Sequence, residues 1–297
     1  MSPNLHIFLL LVGTTIVPSF SQDETIKAIK KKVHVTDILS ANTTQFSSNL
    51  RNGILSTCGG VHTSTSATIS YKNGATISPN ERCVWVINPA GSSNYSLSVA
   101  TLGLQIQTGV TGITASCFNM RGSTAFSSVA ITRTGTVSLP SVCHSLVITF
   151  YSGPNVGTSR GFSLSYSRRT ANGLSSGSSR NYILNAAQQQ IRHPANADTQ
   201  YTNKELTLFA FPPPNNVYSS ARKTLVTYMQ VSLERTSCWD RIHAYRFRPS
   251  GWTVLSELCG DVEFKQWTDA DVILVTFTSD GSVLGRGFHI LRTNLPL

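Results

Sequence analysis

Apolar residues recur at every second position along much of the chain: Cys83, Trp85 and Ile87; Leu146, Ile148 and Phe150; Phe162, Leu164 and Tyr166; Leu225, Thr227, Met229, Val231 and Leu233; and Phe288 with Ile290. A period of two is that of a β-strand, which turns one face to a core and the other to water. The runs are short and are separated by Gly, Pro, Asn and Ser turns, and no long stretch carries apolar residues at helical spacing. The pattern predicts an all-β fold of antiparallel sandwiches. Two sandwiches of about 110 residues each account for a chain of 297 residues.

The two halves also repeat one another. Cys117 and Cys143 are 143 − 117 = 26 apart, and Cys238 and Cys259 are 259 − 238 = 21 apart. Each pair is followed by an apolar strand, a turn and Gly-Phe: Gly161-Phe162 after Phe150, and Gly287-Phe288 after Phe277. This is the pattern of a diverged tandem duplication, with a first domain over 58–166 and a second over 182–297. Residues 167–181 between them are rich in Ser, Gly and Arg with almost nothing apolar, and read as a flexible linker.

The N-terminus changes the chemical setting. Leu5 to Val17 is largely apolar and is followed by Pro18 and the small residues Ser19 and Ser21, so residues 1–21 read as a secretory signal cleaved after Ser21. No other segment approaches the roughly 20 apolar residues of a membrane span. A secreted, extracellular and soluble chain is predicted. In that compartment the six Cys favour disulfides over thiolate metal ligands, though six Cys allow 15 pairings. The sequons at Asn42 and Asn94 become candidate glycosylation sites.

Only 13% of residues are charged, and the balance is 24 − 14 = +10. The charge is unevenly placed. Residues 22–57 hold five bases and three acids, including the run Lys30 to Lys32; residues 58–166 hold five bases and the single acid Glu81; residues 182–297 hold eleven bases and ten acids. The basic N-terminal segment reads as a solvated arm. Together with Arg168, Arg169 and Arg180 it supports a second reading, salt-sensitive attraction to sulfated or anionic glycans. Nucleic acid is not expected, because no basic groove interleaved with aromatics is present. Cation chemistry is confined to the carboxylate-bearing C-terminal third.

The sequence resembles the CUB domain family of extracellular, jelly-roll-like β-sandwiches. In the first half the resemblance rests on Cys58-Gly59-Gly60, Ile77-Ser78-Pro79-Asn80, Cys83-Val84-Trp85-Val86-Ile87, the Cys117 and Cys143 pair, and Gly161-Phe162 with Tyr166. In the second it rests on Pro194, Tyr201-Thr202-Asn203, Glu234, Cys238, Asp240, Cys259-Gly260, Phe277, Ser279-Asp280 and Gly287-Phe288. The resemblance implies disulfides Cys58–Cys83, Cys117–Cys143 and Cys238–Cys259. It also implies a Ca2+ site in the second domain at Glu234, Asp240 and Asp280, which would receive a Lys or Arg of an extracellular protein partner. Asp240 sits two residues after Cys238 where three is usual, so a shortened loop has to deliver it. The first domain has Ser152-Gly153 in place of Ser279-Asp280 and is expected to be calcium-free. The second lacks the first Cys pair, and a loop-closing disulfide contributes about 2–4 kcal/mol, so it is expected to be the less stable half unless a ligand compensates. Trp239, beside Cys238, is expected to pack in the core rather than face a partner, and His243 is a further candidate near the site.

No catalytic constellation is recognisable. There is no Gly-Asp-Ser-Gly-Gly element and no His-Glu-x-x-His pair. Gly173-Leu174-Ser175-Ser176-Gly177 has the spacing of a nucleophile elbow but lies in the predicted linker, with neither the strand nor the helix that an elbow requires. The seven His are scattered without ligand spacing. The expectation is a non-enzymatic recognition protein.

Overall fold

The computed structural model describes residues 54–87, 93–107, 109–119, 126–139, 143–170, 179–196, 198–235 and 238–296. The expected signal sequence, the Lys30 to Lys32 run, Asn42 and the Gly173 to Gly177 motif lie outside the described residues. Asn94 falls in a strand, but its side chain is not among those described. The first sandwich is built from β1 (Ile54–Leu55), β2 (Gly60–His62), β3 (Ser66–Thr76), β4 (Arg82–Ile87), β5 (Ser93–Leu102), β6 (Gly112–Phe118), β7 (Phe126–Ile131), β8 (Gly135–Val137), β9 (Ser145–Tyr151) and β10 (Arg160–Thr170). The second contains β11 (Ser179–Ile183), β12 (Gln188–His193), β13 (Leu206–Phe211), β14 (Arg222–Ser232), β15 (Arg241–Arg248), β16 (Gly251–Leu258), β17 (Asp261–Asp269), β18 (Ile273–Thr278) and β19 (Gly287–Pro296). The protein is all-β, with tandem sandwiches. Strand β10 runs on to Thr170 and β11 begins at Ser179, so both ends of the Ser/Gly/Arg segment are paired strand. Backbone pairing needs no apolar side chain, which is why composition alone read this segment as linker.

Sheet order makes the duplication explicit. In the first sandwich the sheets run β1-β3-β10-β5-β8 and β2-β4-β9-β6-β7; in the second they run β12-β19-β14-β17 and β11-β13-β18-β15-β16. Adding nine to each strand number from β2 to β10 turns one set into the other, and only β1 has no counterpart. The match reaches single atoms. Ser152 Oγ accepts from Glu81 N–H at 2.8 Å and donates to Ser78 O at 2.7 Å; Ser279 Oγ accepts from Glu205 N–H at 2.9 Å and donates to Thr202 O at 2.6 Å. The residues before the two glutamates, Asn80 and Lys204, are both left-handed, at φ 58° and 55°. A Cβ on Gly161 would lie 1.9 Å from Tyr71 O, and one on Gly287 would lie 1.9 Å from His193 O. The repeated Gly-Phe is thus a place where two backbones touch, followed by a ring in the core.

The three disulfides are Cys58–Cys83, Cys117–Cys143 and Cys238–Cys259, as the resemblance implied. Where the first sandwich has Cys83, the second has Thr207, which donates its hydroxyl to the buried Glu205 carboxylate. That carboxylate also pairs with His193 at 2.8 Å. Burial raises the Glu205 pKa, but His193, Thr207 and Thr202 outweigh it and hold the group below the ordinary carboxylate range.

One expectation needs correction. The central strands do not have a wet face: all residues of β4, β9, β13 and β18 are buried. Cys83, Trp85 and Ile87 fill the first core, while Val84 and Val86, on the opposite face of the same strand, join Phe118, Val147 and Tyr151 against Leu206, Leu208, Tyr245, Phe247, Trp252 and Leu274 of the second sandwich. Equivalent sheets therefore pack together through an apolar layer. Phe118 meets Trp252 edge to face at 6.0 Å, and Trp252 Nε1–H donates to Ser116 Oγ at 3.1 Å. Arg82 reaches across to Asp271 at 2.9 Å, with side chains only 5% and 1% exposed.

A second correction concerns β14. The alternation through Leu225, Thr227 and Met229 marks the wrong face, since Val226 and Tyr228 are fully buried while Leu225 and Met229 are half-buried on the outer side. Gln230 is left-handed, at φ 54°, and the pairing with β19 shifts between Met229 and Ser232. This bulge inserts a residue and flips the phase, so Val231 and Leu233 do face the core.

Candidate functional site

At one end of the second sandwich, four loops converge. Tyr201 lies on the segment leading into β13, Glu234 follows β14, Asp240 precedes β15 and Asp280 follows β18. Glu234, Asp240 and Asp280 each offer a carboxylate oxygen, and these oxygens all lie within 4.8 Å of one another. Glu234 is 4% exposed and Asp240 0%, whereas Asp280 is partly open to solvent. The shortened Cys238 loop does deliver Asp240: Cys238 takes a left-handed φ of 51°, and its bond to Cys259 anchors the turn.

Tyr201, quoted above only as part of a motif, organises the cluster. Its hydroxyl donates to Asp240 Oδ2 and accepts from Glu234 N–H at 3.2 Å. Burial, with the adjoining Asp240 carboxylate, pushes the phenol pKa well up, so the hydroxyl stays protonated as a donor. Asp240 Oδ1 accepts from Asp280 N–H at 2.8 Å; Asp280 Oδ1 accepts from Ser282 N–H at 2.7 Å; Glu234 Oε2 accepts from Trp239 N–H at 3.3 Å. Each carboxylate is oriented by a backbone amide.

The electrostatics are unbalanced. Burial raises the Asp240 pKa; the Tyr201 and Asp280 hydrogen bonds oppose this, while the Asp280 and Glu234 charges add to it, and the net shift is upward. Among the described residues, neither Asp240 nor Asp280 has an ion pair with Lys or Arg. A bound cation would relieve this repulsion. Ca2+ takes oxygens at about 2.3–2.6 Å, which places any two ligands of one shell within roughly 5.2 Å of each other. The carboxylate cluster meets that limit, and the donor set is all oxygen, so Glu234, Asp240 and Asp280 fit a calcium ion.

The first sandwich supplies an internal control. Gly153 N–H donates to Thr111 Oγ1 at 3.1 Å, the same contact as Asp280 N–H to Asp240, so Thr111 stands where Asp240 does and Gly153 where Asp280 does. Six residues before Thr111 is Gln105, and six before Asp240 is Glu234; Ile77 takes the place of Tyr201. The same end of the fold is built there from neutral residues.

Two further residues are placed differently from expectation. Trp239 is not in the core but 62% exposed, because the left-handed Cys238 and the inward Asp240 on either side leave its side chain pointing outward. His243 is buried in β15 and faces Glu257 at 3.3 Å rather than the cluster; burial lowers its pKa.

No family model matches the chain, and no curated protein matches it. Among solved structures the chain is similar to the CUB1-EGF-CUB2 region of human MASP-1/3, at 13% identity over 78% of this chain and 100% of that one, with a TM-score of 0.32. The corresponding region of rat MASP-1 matches at 13% identity over 79% and 99%, TM-score 0.30. The full extracellular region of zebrafish Gpr126/Adgrg6 matches at 13% identity over 79% of this chain and 36% of that one, TM-score 0.32. Among the described residues, no helix is long and apolar enough to cross a membrane.

Proposed function

We propose that this is a secreted, non-enzymatic recognition protein of two CUB-like sandwiches, whose second sandwich binds Ca2+ through Glu234, Asp240 and Asp280 and uses that site to hold a protein partner. The observation that carries the reading is the convergence of the three carboxylates within 4.8 Å, two of them buried and each oriented by a backbone amide. Bound calcium would offset the repulsion that Asp280 and Glu234 exert on Asp240 and fix the carboxylates as charge-assisted acceptors for a Lys or Arg of the partner. The chain's own part is to keep Tyr201 protonated as a donor, to aim Asp240 with the Asp280 amide, and to exclude water beneath the cluster. Three disulfides and candidate glycosylation at Asn42 and Asn94 accord with an extracellular setting.

Melting of the full-length protein with and without millimolar calcium tests this reading. A ligand at 100 times its Kd adds about 2.7 kcal/mol, so calcium should raise the melting temperature, a chelator should reverse the rise, and Asp280→Asn should abolish it. If partner capture instead falls with salt and ignores chelator, the basic segments and anionic glycans are the better account.

A further inference from the structure

Trp239 and the acidic cluster form one surface. The Trp239 amide is hydrogen-bonded to Glu234 Oε2 at 3.3 Å, so its indole begins at the cluster's edge. Its neighbours Cys238 and Asp240 are both tied down, the first by a disulfide and the second by Tyr201 and Asp280. The indole is thus carried on a braced backbone and yet is 62% exposed. On the Asp280 side of the cluster, just past the turn closed by Ser282, Val283 is 60% exposed. These are the two most exposed large apolar side chains among the described residues, and both belong to loops that supply a carboxylate. Exposed aromatics on fixed backbone next to desolvated polar groups are what a recognition hot spot requires.

We infer that Trp239 and Val283 form an apolar rim around the acidic centre, and that the site takes a protein segment presenting an Arg or Lys directly beside an apolar residue. This inference rests on the calcium-dependent reading above. The charge of the segment is complementary to the carboxylates, its flanking side chain covers Val283, and the indole face accepts the cationic head or its alkyl stem. A basic residue set among polar neighbours meets only the centre, and should bind weakly.

The four Trp provide the readout. Trp85 is fully buried, Trp252 and Trp267 are 8% and 7% exposed, and Trp239 alone is open. Acrylamide quenching of full-length protein therefore reports chiefly on Trp239. The probes are short capped peptides with a central Arg flanked by Leu, a central Arg flanked by Ser, and a central Glu flanked by Leu, each titrated by fluorescence and calorimetry in calcium. The expected result is that the Arg-Leu peptide shields Trp239 and binds at least about tenfold tighter than the Arg-Ser peptide. Trp239→Ala should remove that preference while binding calcium as the unaltered protein does. An exposed side chain can be cut back without unfolding the sandwich, and the calcium titration of the variant checks this. Normal calcium binding with equal affinity for the two Arg peptides, with no peptide binding, or with no loss in Trp239→Ala, overturns the rim and leaves the calcium site standing. Absence of calcium binding in the unaltered protein overturns the parent reading and the rim together.

Discussion

Replacing Arg82 by Met should destabilise the whole protein, because this guanidinium joins the two sandwiches from a buried position. Its Nε donates to Asp271 Oδ1 at 2.9 Å, and its Nη1 donates to the carbonyls of Glu81 at 2.9 Å and Ser152 at 2.8 Å. Met keeps most of the stem but leaves Asp271, whose side chain is 1% exposed, as an unpaired charge under the interface, with the Val272 amide as its remaining donor to Oδ1. Removing one partner of such a pair costs about 3–5 kcal/mol, whereas replacing both by apolar groups is often neutral. Arg82→Met should therefore lose about that much in urea unfolding followed by Trp fluorescence, and the double variant Arg82→Met with Asp271→Leu should recover most of it. Burial already raises the Asp271 pKa, with Arg82 opposing the shift; without Arg82 it must rise further. A carboxyl whose folded pKa is raised binds more protons folded than unfolded, so stability falls as pH climbs from its ordinary value, about 4, through its raised one. The deficit of Arg82→Met should be smallest near that ordinary value and grow toward neutrality. A loss below about 1 kcal/mol that does not vary with pH, as for an exposed pair, would refute a buried electrostatic tie between the sandwiches.

Two other predictions follow from the duplicated frame and the cluster. Tyr201→Phe removes the hydroxyl that joins Asp240 to the Glu234 amide, and should weaken calcium binding by about 10- to 100-fold, as loss of an outer-shell partner does, while lowering calcium-free stability by about 1–3 kcal/mol because two buried polar groups lose their partner. Gly287→Ala sets a Cβ against His193 O in a left-handed residue (φ 85°), and should lower stability by more than about 1 kcal/mol, where an unstrained Gly to Ala change would raise it; equal stability by denaturation would contradict the close backbone contact.

Much of the frame was legible because it is local or repeated. Alternation found β4, β9, β10 and β19, and the Gly-Phe repeat found the duplication, since the same backbone contact recurs in both halves. What periodicity obscured were contacts between elements far apart in sequence. Runs such as Val84-Trp85-Val86-Ile87 and Leu206 to Phe211 are apolar on both faces, which is the mark of a sheet covered twice, but only the fold shows that each sandwich covers the other. The phase of β14 was misread because one left-handed residue, Gln230, inverts it. In the site, the three acids were recognised from motif positions. The roles of Tyr201 and Trp239 depend on a hydrogen bond across 39 positions and on a kink at Cys238, neither of which leaves a periodic trace.

The calcium reading turns on a single titration. It should use the full-length protein rather than residues 182–297, because the fragment would expose Leu206, Leu208, Phe247, Trp252 and Leu274, which the first sandwich covers. Calorimetric titration with calcium should show one saturable site, with Asp280→Asn removing it and Gln105→Ala, at the exposed position of the first sandwich that matches Glu234, leaving it intact. No binding heat, together with no rise in melting temperature at millimolar calcium, would contradict the account and reduce Glu234, Asp240 and Asp280 to a hydrogen-bonded carboxylate cluster.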